Sequence, residues 1–203
     1  MARGKTTFLM ALLVLLAPAA AQAQYNCLLP NLDSMYLGKD PITYGAYLQD
    51  QLSFGASGTC VPLPPLGSPS TTSFSTGGDI RLSGDGGATW GEYPSEAALT
   101  VHLATTAQTG DTKETQSELL QMDLTGGYLP AGVRLRESPS LSSTGQVLST
   151  DFGPFTAYFD VFMELSTDGG QTWIPASAAD HLEFIGGVPT MPTTWGSLKA
   201  TYR

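Results

Sequence analysis

Ser83-Gly84-Asp85-Gly86-Gly87-Ala88-Thr89-Trp90 and Ser166-Thr167-Asp168-Gly169-Gly170-Gln171-Thr172-Trp173 are two copies of one pattern, with a period of 83 residues between Ser83 and Ser166. The likeness continues upstream, where Ile80-Arg81-Leu82 parallels Met163-Glu164-Leu165, and weakly downstream at Ala97-Ala98 and Ala178-Ala179. Such a period is too long for a solenoid and suits a duplicated half-domain. Each residue type has a conformational reason to be there. A strand ends at the Ser, and Asp-Gly-Gly supplies the positive φ angles of a tight turn. The Asp carboxylate can accept bonds from backbone N–H groups across the turn, and from the Thr hydroxyl. The Trp opens the next strand and packs over the turn, burying roughly 150–250 Å². Ser83, Asp85, Gly87, Thr89 and Trp90, with Ser166, Asp168, Gly170, Thr172 and Trp173, are thus read first as structural. A calcium loop is a poor alternative, since each turn offers one carboxylate and Ca²⁺ wants about 6–8 oxygens.

Around these hairpins the chain alternates with the two-residue period of strands. Expected strands are Asp79 to Ser83, Ala97 to Ala104, Ser117 to Thr125, Val133 to Glu137, Gln146 to Thr150, Phe155 to Ser166, Thr172 to Pro175, His181 to Ile185 and Ser197 to Tyr202. Leu99, Val101 and Leu103 share a face, as do Leu120, Met122 and Leu124. Gly, Ser, Pro and Asp turns separate the segments by about 8–15 residues, the rhythm of an antiparallel sandwich or barrel. The expectation is an all-β chain, an antiparallel β-sandwich of about 8–10 strands with little helix. Tyr44 to Phe54 reads as either a short helix or a strand.

The first residues look like an export signal. Arg3 and Lys5 precede an apolar run from Phe8 to Ala17, and Ala21-Gln22-Ala23 fits a signal-peptidase site, so cleavage is expected after Ala23. The apolar run makes roughly 15 Å of helix, too short to span a bilayer. Gln24-Tyr25-Asn26 before Cys27 disfavours a lipoprotein. Three parts result: a signal peptide at 1–23, an N-terminal segment with a Pro-rich connector at 24–69, and the β-sandwich domain at 70–203. Cys27 and Cys60, the two cysteines, read as a disulfide closing a loop of about 34 residues, a staple of roughly 2–4 kcal/mol. Without Arg3 and Lys5 the chain keeps 7 basic residues against 18 acidic ones, a net charge near −11. That surface repels phosphate backbones and anionic membranes, so nucleic-acid partners are not expected.

The pattern Ser-x-Asp-x-Gly-x-Thr-Trp resembles the Asp-box of sialidases and other secreted β-proteins, in which the box is a fold element found far from active sites. The likeness covers 16 residues in two copies. Sialidase activity does not carry over: those propellers carry several boxes on roughly twice this length. They also use an arginine triad with a Tyr/Glu nucleophile, and here the arginines after residue 23 are Arg81, Arg134, Arg136 and Arg203. A looser likeness covers about half the chain: Leu119 to Gly127, Arg136 to Pro139, and Phe159 to Leu165 running into the second box. These stretches are similar to a group of exported bacterial proteins, many ending in a PEP-CTERM sorting tail. The group implies an extracellular, exopolymer-associated setting. The chain's last residues, Thr201-Tyr202-Arg203, lack the apolar helix and basic cluster of that tail.

Other chemistries fare worse. In Asp180-His181-Leu182-Glu183 strand alternation puts only His181 and Glu183 on one face, and zinc catalysis wants three ligands. Asp160 and Glu164 on one strand would stand about 13 Å apart, beyond the roughly 5–9.5 Å of glycosidase pairs. No Gly-x-Ser-x-Gly elbow and no phosphate-binding glycine loop occurs. Trp90, Tyr93, Trp173 and Trp195 could form an aromatic platform for polysaccharide. The leading expectation is a non-catalytic, secreted structural or surface/matrix-interaction protein (extracellular, or periplasmic in a two-membrane bacterium) without cofactor. A carbohydrate-binding module using those aromatics is the runner-up, and a glycan-cleaving enzyme comes third. Self-association through exposed edge strands is a further possibility.

Overall fold

A computed structural model describes residues 27–28, 35–55, 61–150 and 155–186. Their regular structure is entirely β: β1 (Met35–Gly38), β2 (Ile42–Tyr44), β3 (Tyr47–Gly55), β4 (Ser70–Ser83), β5 (Gly91–Thr109), β6 (Thr112–Thr125), β7 (Arg134–Glu137), β8 (Ser143–Thr150), β9 (Thr156–Val161), β10 (Met163–Ser166), β11 (Ile174–Pro175) and β12 (Asp180–Ile185). The segment 44–54, ambiguous in sequence, is strand, and the hairpin of β2 and β3 turns at Gly45, whose φ is 60°.

Strands β3, β4, β5 and β6 are successive antiparallel neighbours. Beyond them β6 pairs β8, β8 pairs β9, β9 pairs β12, β12 pairs β1, and β1 returns to β3. The expected sandwich is therefore a closed barrel of eight antiparallel strands. Alternation promises each strand one buried face, and both architectures satisfy that demand. Closure is decided by the pairing of Met35 with Ile185 at opposite ends of the described chain, which local sequence does not encode. Among the described residues each strand of the ring has two neighbours, while β2 and β11 each pair a single strand.

The remaining strands prolong the wall past short interruptions. β7 continues into β8 and pairs β6 and β10; β10 continues from β9 and pairs β11; β2 follows β1 and pairs β3. Ser177 N–H donates to the Thr43 carbonyl at 2.9 Å, and Thr43 N–H to Ser177 Oγ at 3.1 Å, so the β11 side meets the β2 side here too. Counting each interrupted pair as one run, the barrel is an eight-run meander. An offset of 83 carries the end of β4 at Ser83 onto the end of β10 at Ser166, and the start of β5 at Gly91 onto the start of β11 at Ile174. The two repeated hairpins stand on opposite sides of the ring.

Inside, Leu99, Val101 and Leu103 from β5 meet Met122, Leu124, Val147, Phe159, Val161 and Leu182 in one apolar core. The outward positions of β5 include Glu92, Glu96, Thr100 and His102, the reverse of an apolar-out membrane barrel. No described helix is long and apolar enough to cross a membrane. Leu120 departs from its expected face. Thr100 pairs Gln121 and Val101 pairs Leu119, so Leu120 is the extra residue of a β-bulge and lies 47 % exposed.

Residues 35–55, on the N-terminal side of the boundary expected at 69/70, supply β1 and β3 to the ring and β2 beside it. The Pro-rich connector at 61–69 lies against the wall. Val61 and Leu63 are buried, and Thr105 Oγ1 donates to the Pro64 carbonyl at 2.6 Å. Leu66 is 52 % exposed. Cys27 is buried and bridges Pro62 in a single antiparallel pairing, and Leu28 N–H donates to the Val61 carbonyl at 2.8 Å. The signal peptide, Cys60, Trp195 and the strand expected at 197–202 lie outside the described residues.

Candidate functional site

The repeated hairpins come first, because their residues are the most specific in the sequence. Ser83 Oγ donates to Asp85 Oδ1 at 2.7 Å and accepts the Gly87 N–H at 2.8 Å. Asp85 accepts the Thr89 N–H at 2.8 Å on Oδ1 and the Thr89 hydroxyl at 2.6 Å on Oδ2. The second turn repeats this. Ser166 Oγ donates to Asp168 Oδ1 at 2.8 Å and accepts the Gly170 N–H at 2.8 Å. Asp168 accepts the Thr172 N–H at 2.9 Å and its hydroxyl at 2.6 Å. Gly87 and Gly170 hold φ of 93° and 94°, a region that a side chain would strain. The Thr89 hydroxyl, with further bonds from the Thr89 amide and Ser83, holds the Asp85 carboxyl down at about 2. Thr172 leads the same effect at Asp168, which lies lower still. Both oxygens of each carboxylate are thus engaged within their own turn.

The indoles sit beside guanidinium groups. Arg81 lies 5.1 Å from the Trp90 ring centre, and Arg136 lies 4.0 Å from that of Trp173. Arg81 is paired with Asp50 at 3.2 Å. Arg136 donates from Nε at 2.9 Å and Nη2 at 2.6 Å to Glu164 Oε2. Trp173 Nε1–H donates to the Gly170 carbonyl at 3.1 Å. Both rings are half-buried, and a Cβ on Gly87 or Gly170 would touch them. Tyr93 is half-buried against the core. Trp90 and Trp173 therefore stand across the barrel from one another, each engaged in its own corner, and Trp195 lies outside the described residues.

A second cluster lies in the barrel interior. Tyr44 donates its hydroxyl proton to Gln49 Oε1 at 2.8 Å, and Gln49 Nε2–H donates to Asp180 Oδ2 at 2.6 Å. All three residues are 0 % exposed, and among the described residues Asp180 Oδ1 has no hydrogen-bond partner. Burial pushes the Asp180 carboxyl up to about 7, against the opposing bond from Gln49. Burial, then the nearby Asp180, raises the Tyr44 phenol. A Cβ on Gly38 would overlap the Asp180 carboxylate, so that glycine makes room for it. The apolar void above, bordered by Leu28, Tyr36, Phe54, Phe74 and Phe159, is only about 30 Å³. Small-molecule sites measure roughly 300–1,000 Å³, so this void is too small to be one.

The outer wall over β6, β8, β9 and β12 carries a groove of about 510 Å³. Alternation places its polar residues. Gln146 pairs Tyr158 across β8 and β9, Tyr158 pairs Glu183 across β9 and β12, and Asp160 pairs His181 one row along. His181 Nδ1 lies 2.6 Å from Asp160 Oδ1, and Nε2 lies 3.6 Å from Glu183 Oε1. The bond to Asp160 raises the His181 imidazole against a smaller opposing effect of burial. Its ring tilts 31° to that of Tyr158 at 5.3 Å. Gln146 Nε2–H donates to Glu114 Oε1 at 2.7 Å, fixing that carboxylate at the far side.

Comparison with known proteins adds no relative. No family model matches the chain. No curated protein and no solved structure shows significant similarity to it.

Of the remaining candidates, Asp180 points inward while His181 and Glu183 face out, as alternation requires. Among the described residues no group of three or more His, Cys, Asp and Glu is placed to hold a metal ion. Asp160 and Glu164 are separated by the break at Phe162 and take different partners, His181 and Arg136. His102 bonds Thr71 Oγ1 at 2.9 Å on the outer face of β5. Sequence reading missed Tyr44, Gln49, Glu114, Gln146 and Tyr158. Its one usable signal was the outward parity of Tyr158, Asp160, His181 and Glu183.

Proposed function

We propose that this chain is a non-catalytic, exported structural or surface/matrix-interaction protein, built as a rigid barrel that offers its outer wall to a partner. The observation that carries this reading is the saturation of the repeated corners. Asp85 and Asp168 spend both carboxylate oxygens on their own hairpins, which leaves a scaffold element and no reactive group. The nearby acids of β9 and β10 are likewise paired apart, and the void in the core is too small for ligands of ordinary size. In this reading the hairpins are Asp-boxes, the 83-residue period marks a duplicated half-barrel, export follows cleavage after Ala23, and Cys27 is stapled to Cys60. The bridge from Cys27 to Pro62 supports the staple, since it holds Cys27 beside the connector that follows residue 60.

A carbohydrate-binding module is the second reading, now drawing on Tyr158 in the groove rather than on the tryptophans. Fractionating a culture that secretes the native chain tests the main reading. The mature protein is expected in the extracellular matrix or surface fraction and without hydrolytic activity on the matrix polymers. Turnover of such a polymer, or retention in the cytoplasm, would overturn it.

A further inference from the structure

The outer-wall groove has the chemistry of a glycan site, and its charge selects which glycan. The following rests on the interaction role just proposed and names the ligand class. At about 510 Å³ the groove is of ligand size. Tyr158 stands within it 37 % exposed and presents an aromatic surface, the apolar partner that the C–H face of a pyranose ring needs. Planar hydrogen-bonding groups surround that ring on neighbouring strands: Gln146, Glu183, His181 and, across the groove, Glu114. Three of them, Gln146, Glu114 and His181, are held before any ligand arrives. Gln146 fixes Glu114, and Asp160 fixes the His181 ring, which spares part of the ordering cost of binding.

Among the described residues no Lys or Arg lines the groove, while Glu114 and Glu183 do, and the Glu183 side chain is 71 % exposed. Asp160 offsets whatever charge His181 carries. Phosphate, sulfate and uronate polymers are repelled from such a surface, and a protonated amine is attracted. The geometry points to a polymer of hexosamine with free amino groups as the ligand, one ring face on Tyr158 and the ammonium groups of different residues of the polymer at Glu183 and at Glu114.

The net charge of −9 means that any polycation will adhere to this chain to some extent, so the test must separate the groove from the bulk field. Binding of glucosamine hexamer to the full mature chain is measured by calorimetry at physiological ionic strength. N-acetylglucosamine hexamer, oligogalacturonate and oligolysine serve as comparison probes, with Tyr158→Ala, Tyr158→Phe, Glu183→Gln and the exposed control Glu92→Gln as variants. Expected are binding of the glucosamine hexamer, a loss of roughly tenfold in Tyr158→Ala and in Glu183→Gln, and near-native affinity in Tyr158→Phe and Glu92→Gln. Oligogalacturonate does not bind. Equal affinity for oligolysine, or glucosamine binding indifferent to both groove variants, overturns the proposal, as does no binding at all. Recovery from the matrix fraction is read separately: a chain that partitions there yet ignores hexosamine loses this ligand class and keeps the wider role.

Discussion

Arg81 and Glu164 occupy equivalent places 83 residues apart, two positions before the Ser of each hairpin, with opposite charge. Each finds its counter-ion on the neighbouring strand, Asp50 for Arg81 and Arg136 for Glu164, and in both cases the arginine ends beside the hairpin's own Trp. The pairs are swapped in sign and conserved in geometry, as expected if the demand at this place is a guanidinium against an indole and a carboxylate to hold it.

The two latches differ in strength. Arg136 donates twice to Glu164 and sits 4.0 Å from its indole, whereas Arg81 makes one contact of 3.2 Å and sits 5.1 Å away. Arg136→Ala should lower the unfolding free energy by about 1.5–3 kcal/mol, as for a charge-assisted bond lost beside a partly buried carboxylate. Arg81→Ala should cost about 0–1 kcal/mol, the range of exposed pairs. Urea unfolding of both variants checks the ordering.

Ser83 and Ser166 are buried, and each hydroxyl serves a turn amide and the Asp carboxylate. Replacing either with Ala leaves the Gly87 or Gly170 N–H without its acceptor. A loss of about 1–3 kcal/mol for each is expected. The hairpins stand across the barrel, so the double variant should lose the sum. Chemical denaturation of the three variants tests both the size and the additivity.

These corners were legible in the sequence because every bond in them is local: Ser, Asp, Gly and Thr act within four residues of one another. Alternation likewise made the core face of β5 readable through Leu99, Val101 and Leu103. Closure was not readable, since β1 is four residues of mixed polarity whose partner β12 lies at the other end of the described chain. Leu120 misled because a bulge shifts the face without changing the residue pattern. The groove drew its residues from four strands, and nothing local marks Glu114 as a neighbour of Gln146.

Asp180 makes stability depend on pH. Its folded carboxyl keeps the proton to about pH 7, while an unfolded Asp releases it near 4. The folded state therefore binds more protons between these values, and its stability falls as pH rises through that window. Asp180→Asn keeps an acceptor for Gln49 and removes the charge. It should stabilise the protein by a few kcal/mol above pH 7 and by little below pH 4, read as the melting temperature against pH.

His181 shifts stability with pH in the same direction, through a favoured charge rather than a penalised one. The Asp160 bond raises its folded pKa, so its contribution is full below the unfolded value near 6.5 and is lost as pH rises through the folded one. In Asp160→Asn the imidazole should titrate at lower pH than in the native chain, which the His181 ring resonances will report in an NMR titration.

Thermal unfolding of the native chain and of Asp85→Asn/Asp168→Asn, each in Ca²⁺ and in chelator, probes the corners themselves. If each carboxylate serves its own turn, the native melting temperature is indifferent to calcium, and the double variant melts lower by the same margin in both buffers. A native chain stabilised by calcium, with that gain abolished in the variant, would make the corners ion sites and contradict the scaffold reading.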